Sequence, residues 1–188
     1  MLFVGGRLCL DFFNSANWSL EGHVLDEKLE TLEDLAEWCR GVAAFGSLEA
    51  IPASRFRAGE LEALKRFRLQ LRRLFLAVLS EAVPRRADLA ALNAVLQRPY
   101  PAQTLRLGKA GFALQKAVCL DQIVAQSALA LLTHHRDLDR VKVCPGDHCA
   151  WLFLDDSRTG RRRWCAMETC GNRAKARRHY ERVTGRRV

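Results

Sequence analysis

Acidic residues are nearly absent from the end of this chain. Residues 157–188 hold 11 Lys and Arg but only 2 Asp and Glu, a net charge of +9. Residues 1–156 hold 19 of each sign, so the terminal segment carries the whole formal excess of the 188-residue protein. A neutral body with a basic tail points to a polyanionic partner such as nucleic acid. Other absences exclude whole classes. No apolar run approaches the roughly 20 residues that a membrane-spanning helix needs, so no membrane partner is expected. Met1-Leu2-Phe3-Val4 is too short for the apolar core of a secretory leader, and Gly5-Gly6-Arg7 interrupts it. There is no internal repeat, no low-complexity run and no Gly-x-Ser-x-Gly. Gly5-Gly6-Arg7 lacks the spacing and the Lys-Ser/Thr pair of a phosphate loop. A zinc deaminase needs Pro-Cys-x-x-Cys, whereas here Pro145 follows Cys144 and the next cysteine is five positions on. Catalysis is not expected.

What is present is a packed, mainly α protein. Hydrophobic residues make up 49% of the chain, enough for one core plus a small appendage. Residues 1–18 are apolar at 8, 10, 12 and 13 around Asp11, and periodicity does not decide between strand and helix. Thr31-Leu-Glu-Asp approaches a capping box, with Leu32, Leu35, Ala36 and Cys39 inward on the helix that follows and Gly41 at its end. Pro52 marks a loop. A long helix is expected over 58–80, with Leu61, Leu64, Leu71, Leu74, Phe75 and Val78 as its apolar stripe and Arg66, Arg72 and Arg73 off it. Another is expected over 86–97, with Leu89, Leu92 and Leu96 inward. Pro99 and Pro101 break the pattern, and Thr104–Leu107 and Phe112–Gln115 bracket Gly108-Lys109-Ala110-Gly111 as a small hairpin. The strongly apolar helix over 119–134 belongs at the centre of the bundle, with His134, His135 and Arg136 in its last turn. The expected division is a helical domain over 1–138 and a zinc-knuckle module over 139–188.

That module rests on Cys144-x4-Cys149-x15-Cys165-x4-Cys170. Two cysteine pairs bring four soft ligands from two tight turns to one tetrahedral zinc ion, and a closed four-thiolate shell is structural. The x4 gap is one or two residues longer than the commonest knuckle. Gly146, Ala166 and Gly171 are small, as knuckles require near sulfur. His148 is read as a surface residue because four cysteines complete the shell. Val141-Lys142-Val143 and Trp151-Leu152-Phe153-Leu154 form a short β-hairpin, with Trp151 and Phe153 sharing one core-facing side. A basic helix follows from Asn172, a candidate N-cap, to about Val183. Cys9, Cys39 and Cys119 are scattered in apolar stretches and read as small buried hydrophobes. The odd cysteine count and the paired knuckles place the chain in a reducing cytosol, so a cytoplasmic location is expected.

Candidate nucleic-acid contacts are Arg161, Arg162, Arg163, Asn172, Arg173, Lys175, Arg177 and Arg178. On a helix, 173 and 177 share one face and 175, 178 and 182 another, so many weak phosphate contacts fit better than a single stripe. Asp11 and Asn14, polar in an apolar opening, are candidates for a ligand site; the alternative is that they cap a helix or bond loop backbone.

Trp164-Cys165-Ala166-Met167-x-x-Cys170-Gly171-Asn172-Arg173-x-Lys175-x-Arg177-Arg178-x-Tyr180 resembles the CGNR zinc finger, and the stretch from Cys144 to Arg158 resembles its first half. Gly5-Gly6-Arg7-Leu8-x-Leu10-Asp11-Phe12-x-Asn14 resembles the opening of the ABATE domain of stress-induced bacterial transcription regulators. The resemblance covers essentially the whole chain. It implies a helical domain followed by a zinc module that binds DNA, with one structural Zn2+ on Cys144, Cys149, Cys165 and Cys170. The expected function is therefore a DNA-binding regulator whose helical domain senses a signal or dimerises. Duplex DNA, a second copy of the chain and an unidentified small-molecule effector are the expected partners. An RNA-binding accessory protein and a protein-interaction module stapled by zinc are the alternatives.

Overall fold

The computed structural model describes residues 1–44, 55–99, 103–108, 111–116 and 119–185. Pro52, Pro101 and the turn residues Lys109 and Ala110 lie outside them. The ambiguous opening resolves into both candidates: a helix α1 (Leu8–Phe13) and a strand β1 (Ala16–Trp18). Leu8, Cys9, Leu10, Phe12 and Phe13 are all buried, so α1 is apolar on nearly every side and shows no amphipathic period. Strand β1 pairs antiparallel with β2 (Val24–Glu27), a hairpin that the sequence reading leaves out.

Helix α2 (Leu32–Ala43) opens on the expected box: the Asp34 amide donates to Thr31 Oγ1 (3.1 Å) and the Thr31 amide to Asp34 Oδ2 (2.8 Å). Gly41 does not end it. The helix runs two residues further, and a Cβ at 41 would overlap the Phe3 ring, so this glycine makes room for packing.

Helices α3 (Ala58–Leu79) and α4 (Arg86–Leu96) fall where expected, with two corrections of facing. Leu89 is 47% exposed while Leu92 is buried. Arg72 is only 2% exposed, not off the packed face, and neighbouring Arg68 is 1% exposed. Strands β3 (Gln103–Gly108) and β4 (Gly111–Lys116) pair from Gln103↔Lys116 to Gly108↔Gly111, the expected hairpin. Helix α5 (Leu120–Thr133) buries Val124, Ala125, Ala128 and Leu131. It stops before His134, and His135 and Arg136 belong to a separate turn, α6 (His135–Leu138).

The last segment holds the antiparallel hairpin β5 (Val141–Val143) and β6 (Leu152–Leu154), a π-helical turn Met167–Gly171 and helix α7 (Asn172–Thr184). Val141, Leu152 and Leu154 join the core formed by α1, α2, α3 and α5. Trp151 and Phe153 pack instead with the four cysteines and with Ala16 and Trp18 of β1. The hairpin thus has one foot in each core, and no gap separates the helical bundle from the knuckle.

Candidate metal centre and basic face

The four cysteines converge. Their sulfurs all lie within 4.8 Å of one another, and all four residues are buried. Cys149 and Cys165 sulfurs are 3.6 Å apart, as are those of Cys165 and Cys170. Four sulfurs about 2.3 Å from a tetrahedral Zn2+ sit about 3.8 Å apart, so the cage has the size of a zinc shell. Three of these thiols compete for the same protons. Hydrogen bonds from Cys149 and Cys165 pull Cys144 down, and the same contacts push Cys149 and Cys165 up. A divalent cation removes the conflict by holding all four as thiolates. Among the described residues this is the only such cluster of metal-ligating side chains. The site takes one structural zinc ion, on the four cysteines named from the sequence.

The local chain explains the long x4 gap. After Cys144, the Cys149 amide closes a turn onto the Gly146 carbonyl at 3.1 Å. His148 and Ala150, on either side of Cys149, both take left-handed backbone angles, φ 53° and 44°. Each costs of order 1 kcal/mol in a non-glycine residue, and strain of this kind collects at sites that the surroundings enforce. One enforcing group is Arg72, whose guanidinium donates to the Ala150 carbonyl at 2.7 Å and stacks on Trp18 with its centre 4.5 Å from the ring. Burial pushes the Arg72 pKa down to about 10, which leaves it cationic at neutral pH. Gly146 stands against the cage: a Cβ there would lie 3.0 Å from the Cys170 sulfur. The Cys165 amide points at the Cys144 sulfur at 3.4 Å.

A second set of bonds seats the knuckle on the helical domain. Asn14 pairs its carboxamide with the backbone of Leu152, donating to the carbonyl at 2.8 Å and accepting from the amide at 3.0 Å. The Trp151 indole donates to the Ala16 carbonyl of β1, and β1 is itself held to α1 by the Trp18 indole, which donates to the Phe13 carbonyl. The Leu154 amide reaches the Gly5 carbonyl at 2.8 Å. Arg68 donates to Ser15 and is paired with Glu27, which holds β2 in place. Arg68, Arg72, Lys142 and Asp155 are not among the candidates that the sequence singles out. Asp155 is fully buried and accepts from Lys142 Nζ (2.6 Å) and from the Arg162 amide (2.9 Å), folding the 155–162 loop back on β5.

The basic residues divide into two groups. Arg162 is half-buried; it stacks on Phe153 and donates to the carbonyls of Val4 (3.1 Å), Leu154 (3.3 Å) and Trp164 (3.1 Å). Arg173 donates to the Cys170 sulfur at 3.4 Å, and Arg177 is ion-paired with Asp147 of the first knuckle. Arg173 and Arg177 tie the module to itself, and Arg162 ties it also to the start of the chain. Arg161, Arg163, Lys175, Arg178 and Arg182 are exposed, with Arg163 stacked on the Trp164 ring at 5.0 Å. Asn172 is not an N-cap. The π-helical turn runs into α7 through Gly171, already helical, and the Asn172 side chain bonds back to the Glu168 carbonyl at 3.3 Å.

The pair that the sequence suggests as a ligand site has protein partners. Asn14 is spent on β6, and Asp11 accepts from the Gly5 amide at 2.8 Å. His134, His135, His148 and His179 are exposed, as read from sequence. A His-x-Glu triplet, His179-Tyr180-Glu181, escapes the sequence-level reading. It lies on α7, after all four cysteines in the chain, and its imidazole faces Arg182 at 3.1 Å.

A helical domain with a four-cysteine zinc module docked on its first hairpin is the class of protein this geometry defines. Residues 140–183 match the family model of the CGNR zinc finger. Residues 6–135 match the ABATE model, described as "Putative stress-induced transcription regulator". The chain belongs to the ABATE family and carries a CGNR zinc finger at its C-terminal side. Among curated proteins, none matches it. Among the described residues no helix is long and apolar enough to cross a membrane.

Proposed function

We propose that the protein is a DNA-binding transcription regulator, non-catalytic, in which the zinc module holds a cationic helix against the phosphates of duplex DNA. The observation that carries this is the division of labour on α7. Arg173, though exposed, and Arg177 face the knuckle and are bonded to it, while Lys175, Arg178 and Arg182 lie on the opposite side of the helix, exposed and with no bond to the knuckle among the described residues. No residue of α7 is buried, so the helix is held at its start by the metal turn and is otherwise open to a partner. Arg161 and Arg163 add exposed charge on the loop before the second cysteine pair. Four thiolates leave zinc no open coordination position, which supports a structural ion and a binding role rather than catalysis. The aromatic residues Trp151 and Phe153 are buried in the knuckle core and not free to stack on bases, which favours duplex DNA over single-stranded RNA.

The test is a titration of zinc-loaded protein onto mixed duplex fragments at two or more salt concentrations, with single-stranded RNA as competitor. Saturable binding that weakens with salt is expected. Replacing Lys175, Arg178 and Arg182 with alanine should weaken binding across sequences and lower the salt slope by about 3, near 0.9 for each phosphate no longer neutralised. Replacing Arg162 should act through folding instead. Equal binding by the triple variant, or preference for the RNA, overturns the proposal.

A further inference from the structure

Away from the knuckle, α3, α4 and α5 leave a cleft of about 420 Å³. That is within the size range of small-molecule sites, which pair apolar walls with a few convergent polar groups. Phe56, Leu64, Phe67, Val95 and Leu120 form the apolar part of its lining, and Ala63 and Ala91 are small where a ligand needs room. The charged and polar lining residues differ in how they are occupied. Asp121 is paired with Arg98 at 2.5 Å and also accepts from the Gln122 amide, and Glu60 accepts from the Arg57 amide at 3.0 Å. Both carboxylates are therefore satisfied. The Arg55 guanidinium and the Gln70 carboxamide also line the cleft, and neither makes a hydrogen bond or ion pair with another described residue. In this apolar cavity Asp121 is ion-paired with Arg98 and Glu60 is turned back onto the N-terminal turn of its own helix, which leaves the Arg55 guanidinium as the cation without a partner among the described residues. Such a cation selects an apolar body bearing an anionic group, and the guanidinium fork fits a carboxylate or sulfonate.

The wall also faces the finger's support. Leu64, Phe67 and Gln70 of α3 line the cleft, while Arg68 and Arg72 of the same helix hold Ser15, Glu27 and Ala150. A ligand here would press on the helix that seats the first knuckle.

We infer that this cleft is a binding site for a small amphipathic anion, an aromatic or branched apolar body with one carboxylate or sulfonate group. Its use as the sensory site rests on the regulator role proposed above; the binding itself does not, and is measured without DNA. The site is not the one suggested by Asp11 and Asn14, which are bonded within the fold.

The experiment uses the full zinc-loaded chain and 8-anilinonaphthalene-1-sulfonate, an apolar fluorophore with one sulfonate, and its uncharged analogue N-phenyl-1-naphthylamine. Near-ultraviolet circular dichroism checks that each variant keeps native tryptophan packing. Saturable one-site binding of the sulfonate is expected. Arg55→Glu, at an exposed position, should weaken it at least tenfold; Ala91→Trp, which fills the cleft, should abolish it; Arg178→Glu on the finger should leave it unchanged. The uncharged analogue should bind more weakly than the sulfonate and be insensitive to Arg55→Glu. No saturable binding by the folded protein overturns the site. So does binding that neither Arg55→Glu nor Ala91→Trp alters. Equal binding of both fluorophores, with no effect of Arg55→Glu, overturns the anionic class. Should Ala91→Trp fail to fold, Arg55→Glu and the uncharged analogue still decide.

Discussion

Asn14 shows how one side chain decides whether two segments 138 positions apart are joined. Its carboxamide replaces a neighbouring strand for Leu152, donating and accepting as a peptide group would. Both partners are buried backbone groups, and an unmade buried bond costs about 1–3 kcal/mol. Asn14→Ala is expected to lower unfolding stability by about 2–4 kcal/mol, read from denaturant midpoints of zinc-loaded protein. A loss below about 1 kcal/mol would mean water replaces the amide. Asp11 gives a pH-dependent test. Burial pushes its carboxyl from the ordinary 3.8 up to about 6, while the Gly5 and Val4 amides and Arg162 hold it part of the way back. Between those values the folded chain binds more protons than the unfolded chain, so this residue's contribution to stability falls as pH rises from about 4 to 6. Asp11→Asn keeps an oxygen for the Gly5 amide and has no charge to desolvate. Its stability relative to the native chain should therefore rise across that window and level off above it. A flat difference from pH 4 to 7 would contradict the assignment. Leu89 shows the limit of pattern reading at this scale: α4 has too few neighbours on that side to cover it, and no periodicity reports what lies opposite.

The elements with a clear period are the legible ones. The placing of α2, α3, α4 and α5 follows from their stripes and the Thr31 box from four letters of sequence, while the end of α2, two residues past Gly41, does not. Helix α1 is illegible because a helix buried on all sides has no polar face to set a period. Arg68 is legible in principle: at 100° per residue it falls within the same arc as Leu64, Leu71 and Phe75, and a cation in an apolar stripe announces a buried partner. That partner, Glu27, is on a hairpin with weak strand signals, so the pair does not show in the sequence. The metal centre is the most legible feature, since thiolates at knuckle spacing have little else to do. Its tolerance of the long gap is not, because the left-handed angles at His148 and Ala150 occur at residues that rarely adopt them. At Gly146 the structure makes a sharp prediction. A methyl group 3.0 Å from the Cys170 sulfur must displace a ligand or the turn, so Gly146→Ala should weaken zinc binding tenfold or more. Competition with a chromophoric chelator measures it, and unaltered zinc affinity would refute the tight packing.

For the molecule as a whole, the finger is part of the stability of the body. Val141, Leu152 and Leu154 lie in the main core, and each buried aliphatic side chain is worth about 1.5–3 kcal/mol. Their sum, about 5–9 kcal/mol, rivals the ~5–15 kcal/mol by which domains are stable at all. Removing zinc with a strong chelator should therefore lower the melting temperature of the helical signal, not merely unfold the last 45 or so residues. A chain ending at residue 138 should unfold at lower denaturant or fail to stay soluble. A helical transition unchanged by chelation or truncation would show two independent units instead.

By itself the sequence determined the helical class, the four zinc ligands and the concentration of charge at one end, because these depend on local periodicity, on ligand chemistry and on composition. Tertiary structure alone decided which basic residues are tied to the knuckle and its supports. Arg162, Arg173 and Arg177 look the same in sequence as Arg163, Lys175 and Arg178, yet the first three are held by carbonyls, a sulfur and Asp147. It also decided that the knuckle shares a core with the bundle and that α3 has a cleft on one face and the finger on another. The physical reason is the same in each case. A charge or an apolar surface acts according to what stands opposite it, and here the opposing groups come from distant parts of the chain.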